Sequence, residues 1–265
     1  AIVTGATGYI GSYFVQYLTG KGIEVLALGR KDFEDISKIR QKKLKDARYL
    51  KIDMSGIESL NNLIKKIGWS IGNSCVFINL AWGGVSKLSD LDVKSQMMNV
   101  IWSVNAFKIA NELNCIKFLQ IGTMEEAFTH KYLTLDYKKN SEYNRHVIYS
   151  VAKIAAKKAL QLFAKDYRTN LIYVLHSHVM APDDDKDSFL QVTLKKLIDK
   201  SELVFSTGEQ TFDVVSEKDC ANGYYLICER GIKGSEYWVG SGDPRPLKEY
   251  VERMYALYPS GKEMQ

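Results

Sequence analysis

The chain has 265 residues, 46% of them hydrophobic, and a formal net charge of +5. That length suits one large α/β domain or a domain with a small appendage, and the apolar fraction supplies a sizeable core. No signal peptide, repeat, low-complexity segment or membrane-length apolar run is read in it, so no membrane association and a cytoplasmic location are expected.

The first eleven residues, Ala1 to Gly11, run from a short β-branched strand into a glycine turn. Gly5, Gly8 and Gly11 are spaced G-x-x-G-x-x-G, and Tyr9 to Leu18 continues with Ile10, Phe14, Tyr17 and Leu18 at helical spacing. Glycines there allow a tight turn and close backbone approach to a pyrophosphate. The helix N-terminus adds N–H donors and a partial positive charge. A plain loop also carries three glycines, but a strand before and a helix after point to a dinucleotide site. Ala1 stands where a start methionine would, so the first strand is expected to lack a residue or two.

A second strand, Glu24 to Leu28, ends at Gly29-Arg30-Lys31. A carboxylate at that end would accept the ribose hydroxyls of NAD, whereas an Arg suits a 2′-phosphate. Two cations precede Asp32, which points to NADP(H), with NAD the alternative cofactor and a solvated loop the plainer reading. The Lys-rich stretch Ile36 to Lys45 reads as a solvated helical face. The charge surplus favours an anionic ligand mildly and does not point to nucleic acid. Asp53, after the strand Tyr49 to Ile52, suits the adenine amino group and equally suits a helix cap, with Ser55 competing. Asn79-Leu80-Ala81-Trp82-Gly83-Gly84 closes a fourth strand and is small enough to lie along a cofactor.

Strands are expected at 1–4, 24–28, 49–52, 75–80, 116–121 and 171–176, with helices near 9–20, 57–67, 92–113 and 142–167. The alternation predicts an α/β fold, a doubly wound parallel sheet with ligands at the carboxyl ends of its strands. The pattern turns irregular from about Ala181, where Asp183 to Asp187 reads as an acidic loop. Residues 1–180 are therefore assigned to a dinucleotide-binding domain and 181–265 mainly to a smaller α+β cap, some of which interleaves and some of which is expected to be missing at the C-terminus. Cys75, Cys115, Cys220 and Cys228 lie in apolar stretches without metal-ligand spacing, which reads as buried thiols in a reducing compartment and no metal site.

Tyr149 and Lys153 are four residues apart on a helical segment and so share a face. A free phenol has a pKa of about 10, too high for a base at neutral pH. A neighbouring ammonium lowers it, and Tyr149 then exchanges a proton with a carbinol or ketone oxygen. Among 16 tyrosines a chance Y-x-x-x-K is common, and a core tyrosine beside a surface lysine is the plainer reading. Thr123, at the end of the strand Phe118 to Gly122, places a hydroxyl where the cleft is expected. It also suits an N-cap, with Glu126 completing a capping box.

Gly5-x-x-Gly8-x-x-Gly11, Asp53, Asn79-Leu80-Ala81, Asn99, Gly122-Thr123, Tyr149-x-x-x-Lys153, Ala181-Pro182 and Phe212-Asp213-x5-Asp219 together resemble the extended short-chain dehydrogenase/reductase family, in its NAD(P)-dependent nucleotide-sugar epimerase/dehydratase branch. The resemblance covers nearly the whole chain. It implies a Rossmann-type domain and a catalytic set of Thr123, Tyr149 and Lys153, with Glu125 a further candidate acid or base. The expected cofactor contacts are Gly5, Thr7, Gly8, Tyr9, Ile10, Gly11, Arg30, Asp53, Met54, Leu80, Ala81, Trp82, Tyr149, Lys153 and Val179, the last beside the nicotinamide amide. The expected substrate contacts are Gly83, Thr123, His178 and Phe212, for a nucleoside-diphosphate sugar.

Departures from the family pattern carry information. Dehydratases similar to this chain often carry Thr-Asp-Glu where it has Thr123-Met124-Glu125, and methionine cannot donate a proton. Phe212 stands where many relatives place a phosphate-gripping Arg, which leaves His178 or Lys195 as substitutes. The expected reaction is NADPH-dependent reduction of a 4-keto-6-deoxy sugar nucleotide. An NAD-dependent 4-epimerase uses the same three residues, and a non-catalytic dinucleotide sensor is the alternative of another class. A homodimer through the helices near 95–113 and 142–166 is also implied, with Val100, Val104, Phe107 and Ile109 fitting a buried face or the chain's own sheet.

Overall fold

The computed structural model describes residues 1–84, 92–134, 147–182, 188–201, 203, 205 and 207–257. The start of the expected helix at 142–167, the acidic loop 183–187 and the last eight residues fall outside them.

Short β-branched and aromatic segments form the strands of one parallel sheet. They are β1 (Ile2–Thr4), β2 (Leu26–Gly29), β3 (Arg48–Lys51), β4 (Val76–Asn79), β5 (Lys117–Ile121), β6 (Asn170–His176) and β10 (Glu236–Val239). Their order is β10-β6-β5-β4-β1-β2-β3, and every pairing is parallel. The order reverses between β1 and β4, and such a reversal opens a crevice at the carboxyl ends of the strands.

The crossovers are α1 (Tyr9–Gly20), α2 (Lys38–Leu44), α3 (Leu60–Ile67), α4 (Val93–Glu112), α5 (Glu125–Leu133) and α6 (Val147–Phe163). A 3-10 turn, Met54–Ser59, leads into α3. Two buried cores result, one per face of the sheet. On one face Phe14, Val15 and Leu18 of α1 meet Tyr224 and Ile227 of α8 (Glu217–Arg230). On the other Phe77, Phe107 and Phe118 stack with Leu60, Ile64 and Leu160. Val104, Phe107 and Ile109 are thus buried on the chain's own sheet, while Val100 is only half-buried.

Beyond β6 the chain adds β7 (His178–Met180), α7 (Phe189–Ile198), β8 (Thr211–Phe212), β9 (Val214–Ser216), β11 (Arg245–Pro246) and α9 (Leu247–Leu257). β7 pairs with β9 and β8 with β11 in two small sheets. α8 and β10 return to the main layer, so that layer is not contiguous in sequence.

One expectation holds only in part. In the stretch Ile36 to Lys45, Lys38, Lys42 and Lys45 are exposed as a solvated face requires, but Arg40, Lys43 and Leu44 are buried. Arg40 lies over the Tyr9 ring at 5.8 Å and Lys43 over Tyr13 at 3.3 Å. Long cationic side chains bury their stems and face an aromatic ring, a contact that charge counting does not foresee.

Candidate active site

At the end of β1 the backbone must reverse into α1. Gly5 does so with φ +66°, a left-handed conformation that disfavours any side chain. A Cβ there would also stand 2.8 Å from the Ala81 nitrogen, so the turn packs directly on the loop after β4. A Cβ on Gly11 would stand 2.2 Å from the Gly5 carbonyl oxygen. The Gly8 N–H donates to that oxygen at 2.9 Å. Thr7 and Ile10 are half-buried, Gly8 is exposed, and Tyr9 is buried beneath. The result is a cradle at a helix N-terminus that side chains would fill, which fits the pyrophosphate of a dinucleotide.

Buried polar groups tie this cradle to the neighbouring loops. Thr4 Oγ1 donates to Asn79 Oδ1 at 2.5 Å and accepts the Ala81 N–H at 3.2 Å. Asn79 Nδ2 donates to Gln120 Oε1 at 2.8 Å. The carboxyl ends of β1, β4 and β5 are thereby held in one register. Asn99, from α4, clamps Gly83 from both sides: its Oδ1 accepts the Gly83 N–H at 2.6 Å, and its Nδ2 donates to the Gly83 carbonyl at 3.0 Å.

At the ends of β2 and β3, Arg30 and Asp53 are exposed, with Met54 half-buried beside them. Asp53 caps the following turn, accepting the Ser55 N–H at 2.9 Å and the Ser55 hydroxyl at 2.7 Å. These bonds, followed by the Arg30 charge, hold its carboxyl below the ordinary value. Asp32 is engaged by Lys51 at 2.5 Å.

The second half of the site is built from side chains. Thr123 is buried two residues beyond β5 and caps α5; its Oγ1 accepts the Glu125 N–H at 3.4 Å. The Thr123 hydroxyl is near enough to Tyr149 on α6 to favour its ionised form. One turn on, Lys153 Nζ donates to the Ile121 carbonyl at 2.9 Å. It lies 3.9 Å from the centre of the Trp82 ring, and Trp82 meets Tyr149 edge-on at 6.0 Å. The indole N–H donates to Gln96 Oε1 at 2.9 Å. Thr123, Tyr149, Lys153 and Trp82 therefore converge at the carboxyl end of the sheet, with Glu125 close enough for its charge to act on Tyr149.

The electrostatics differ from expectation. Lys153 was expected to make Tyr149 more acidic. Instead burial raises the phenol to about 12, with Glu126 and Glu125 adding and the Thr123 hydrogen bond opposing. Burial pulls Lys153 down to about 7, and Glu126 resists that fall. Desolvation disfavours both charged forms, and it is the largest influence on each.

Val179 is buried in β7. His178 and Phe212 meet at a tilt of 40° with ring centres 5.4 Å apart, and Phe212 meets Tyr250 edge-on at 6.2 Å, forming a separate aromatic cluster. Lys195 is exposed on α7. The capping-box contact between Glu126 and Thr123 is the one expected from their spacing, whereas Trp82 over Lys153 and Tyr173 on Glu126 are contacts that spacing did not foretell. The capping-box pattern was the signal available for Glu126. Among the described residues no group of His, Cys, Asp and Glu could hold a metal ion, and no helix is long and apolar enough to cross a membrane.

Comparison with known proteins adds to this geometry. The family model described as the NAD dependent epimerase/dehydratase family matches residues 1–240. The chain is 26% identical over 255 residues to a CDP-abequose synthase of Salmonella typhimurium, covering 94% of this chain and 78% of that one. It is 26% identical over 266 residues to a dTDP-6-deoxy-L-talose 4-dehydrogenase (NAD(+)) of Aggregatibacter actinomycetemcomitans, covering 96% and 89%. The structure of a UDP-glucose 4-epimerase from Thermotoga maritima, with UDP-glucose, superposes with TM-score 0.77 at 18% identity, covering 99% of this chain and 83% of that one.

Proposed function

The chain belongs to the NAD-dependent epimerase/dehydratase family, enzymes of the extended short-chain dehydrogenase/reductase type that act on nucleotide sugars, and on that premise we propose that it reduces a 4-keto-6-deoxy sugar nucleotide with NADPH. The observation that carries the reductive direction is Arg30, exposed at the end of β2: a cation there suits the 2′-phosphate of NADPH, the cofactor that a reductase consumes. Tyr149 is placed to donate a proton to a C4 oxygen that gains charge as the carbonyl is reduced.

The turn Gly5 to Gly11, the loop Leu80 to Trp82, Asp53, Met54 and Val179 would hold the dinucleotide, whose nicotinamide supplies the hydride. Thr123 orients the substrate oxygen through its hydroxyl. Tyr149 donates its proton to that oxygen, and Lys153, one turn along α6, stands beside the phenol. Trp82 excludes water from the pair. Glu125 offers a second proton-transfer group at the rim, and Gly83, His178 and Phe212 would face the sugar nucleotide. The relative whose name specifies a 4-dehydrogenase of a dTDP-6-deoxy sugar supports hydride transfer at C4.

NADP(H) is the cofactor we favour. Arg30 is exposed at the end of β2, and Asp32, the next carboxylate along the chain, is turned to Lys51. That leaves a cation rather than an acid for the adenosine ribose. The name of that same relative specifies NAD(+), so dissociation constants decide: NADPH should bind at least about tenfold tighter than NADH, roughly 1.4 kcal/mol. Equal binding rejects the Arg30 argument. The reaction itself is tested by loss of NADPH absorbance with dTDP- and CDP-linked 4-keto-6-deoxy-glucose. Stoichiometric consumption supports the reductase; NAD retained through purification, with no net consumption, supports the epimerase. Ile101 and Leu162, exposed on α4 and α6, suit a homodimer, which sedimentation would reject by showing monomer alone.

A further inference from the structure

Glu126 lies behind Thr123, with its charge in reach of Tyr149 and Lys153. Its Oε1 accepts the Thr123 N–H at 2.9 Å, closing the capping box of α5. The same oxygen accepts the Tyr173 hydroxyl, also at 2.9 Å, from the neighbouring strand β6. That hydroxyl is 3.3 Å from the Lys153 carbonyl on α6. One carboxylate oxygen thus links the end of β5, the middle of β6 and the turn of α6 that carries Lys153.

A surface capping box does not require this arrangement. Glu126 Oε2 is buried and has no hydrogen-bond partner among the described residues. The volume that the carboxylate occupies is left by Gly122, where an added Cβ would stand 2.4 Å from Oε1 and 2.6 Å from Tyr173 Cε1. A glycine on one strand and a tyrosine on the next therefore make room for a buried charge.

Lys153 needs that charge. Its ammonium is buried, with the Ile121 carbonyl as hydrogen-bond acceptor and the Trp82 ring across it. A carbonyl dipole and an aromatic face compensate only part of the cost of a buried cation. We propose that Glu126 is a positioning residue for proton transfer: its carboxylate fixes the backbone of Thr123 and supplies the buried counter-charge of the Lys153 ammonium. This rests on reading Thr123, Tyr149 and Lys153 as the reacting cluster.

The groups that face Glu126 agree with this role. Thr123 and Tyr173 donate to it, and Lys153 and Lys157 of α6 bring positive charge. Lys157 in turn pairs with Glu236 of β10. Tyr149 feels both Glu126 and Glu125. Burial raises the Glu126 carboxyl, and the two donors and two lysines oppose that rise. One negative charge near Lys153 and Tyr149 holds protons on both. Its removal releases both protons at lower pH.

The test uses the full chain with ¹³Cε-labelled lysine, followed by NMR across pH, with Lys153→Arg identifying the Lys153 resonance. Glu126→Gln keeps the acceptor and removes the charge. The Lys153 midpoint should fall by about one pH unit, the lower end of the effect of an opposite charge nearby. An unmoved midpoint overturns the proposal. Gly122→Ala removes no titratable group and pushes the carboxylate aside, together with the Tyr173 ring, so the same direction of shift is expected; it decides the matter if Glu126→Gln does not fold. Tyr173→Phe removes one hydrogen bond and keeps the charge, and should shift Lys153 less than Glu126→Gln; a larger shift counts against the counter-charge. None of these titrations needs a sugar substrate. A moved midpoint in a protein that reduces no keto sugar sinks the proposed reaction while leaving the counter-charge in place. Where reduction is seen, the alkaline limb of kcat/KM should move down by the same amount in Glu126→Gln.

Discussion

The two halves of the candidate site are built on different principles. The glycine turn is made of backbone: Gly5 reverses the chain, Gly11 leaves room for the Gly5 carbonyl, and Gly5 packs on the peptide of Ala81. The Tyr149 half is made of side chains drawn from β5, α5, α6, β6, α4 and the loop after β4. A backbone cradle is local and tolerates no added atom. A side-chain cluster tolerates substitutions of similar shape but responds to every change of charge. The first is specified by a dozen neighbouring residues, the second only by the folded chain.

Substitution sharpens that contrast. The largest effect is expected at Tyr149→Phe, which deletes one hydroxyl and little volume. Turnover of a keto sugar should fall by roughly 10²- to 10⁴-fold. The rise in melting temperature produced by NADPH should stay within a degree or so of wild type, because the cradle is untouched. Retained turnover would remove Tyr149 from the chemistry.

Gly11→Ala reverses the pattern. Alanine is the better helix former by roughly 1 kcal/mol, yet its Cβ would collide with the Gly5 carbonyl oxygen at 2.2 Å. Overpacking of this kind costs about 1–3 kcal/mol. Thermal unfolding should therefore come several degrees lower, and NADPH should no longer raise the midpoint. A variant that melts higher and still binds would show that the turn has slack.

A smaller effect is expected from Lys153→Met. Lys153 titrates near 7 in the folded chain, against about 10.4 when unfolded. Below pH 7 both states hold the proton and the buried ammonium destabilises the fold in full. Between about pH 7 and 10.4 the unfolded chain binds more protons than the folded one, so this destabilisation fades as pH rises. The methionine variant should therefore melt about 2 °C above wild type at pH 6, with the gap narrowing by pH 9. A gap that widens with pH would mean that Lys153 is not desolvated as described.

Much of the fold was legible before any coordinates. Alternating strand and helix patterns predicted β1 to β6 within a few residues, because β-branched runs bounded by turns and 3.6-residue periodicity are local properties. The glycine turn was legible for the same reason. β10 was not, because a four-residue strand with partly exposed positions carries little pattern; its pairing with β6 places it in the sheet. The burial of Arg40 and Lys43 was likewise hidden, since only α1 packed beside α2 supplies the tyrosine rings that cover them.

The Tyr149 and Lys153 spacing determined that the two groups share a helix face. It did not determine their acidity. That depends on the surroundings: Trp82 across Lys153, Glu126 behind it, and the loss of water from both. Tertiary structure alone made Tyr149 a weaker acid and Lys153 a weaker base than their free side chains. Sequence settles backbone geometry and helical register because these follow from neighbouring residues. Solvation and distant charge act through space, and only the packed chain decides which groups lose water together.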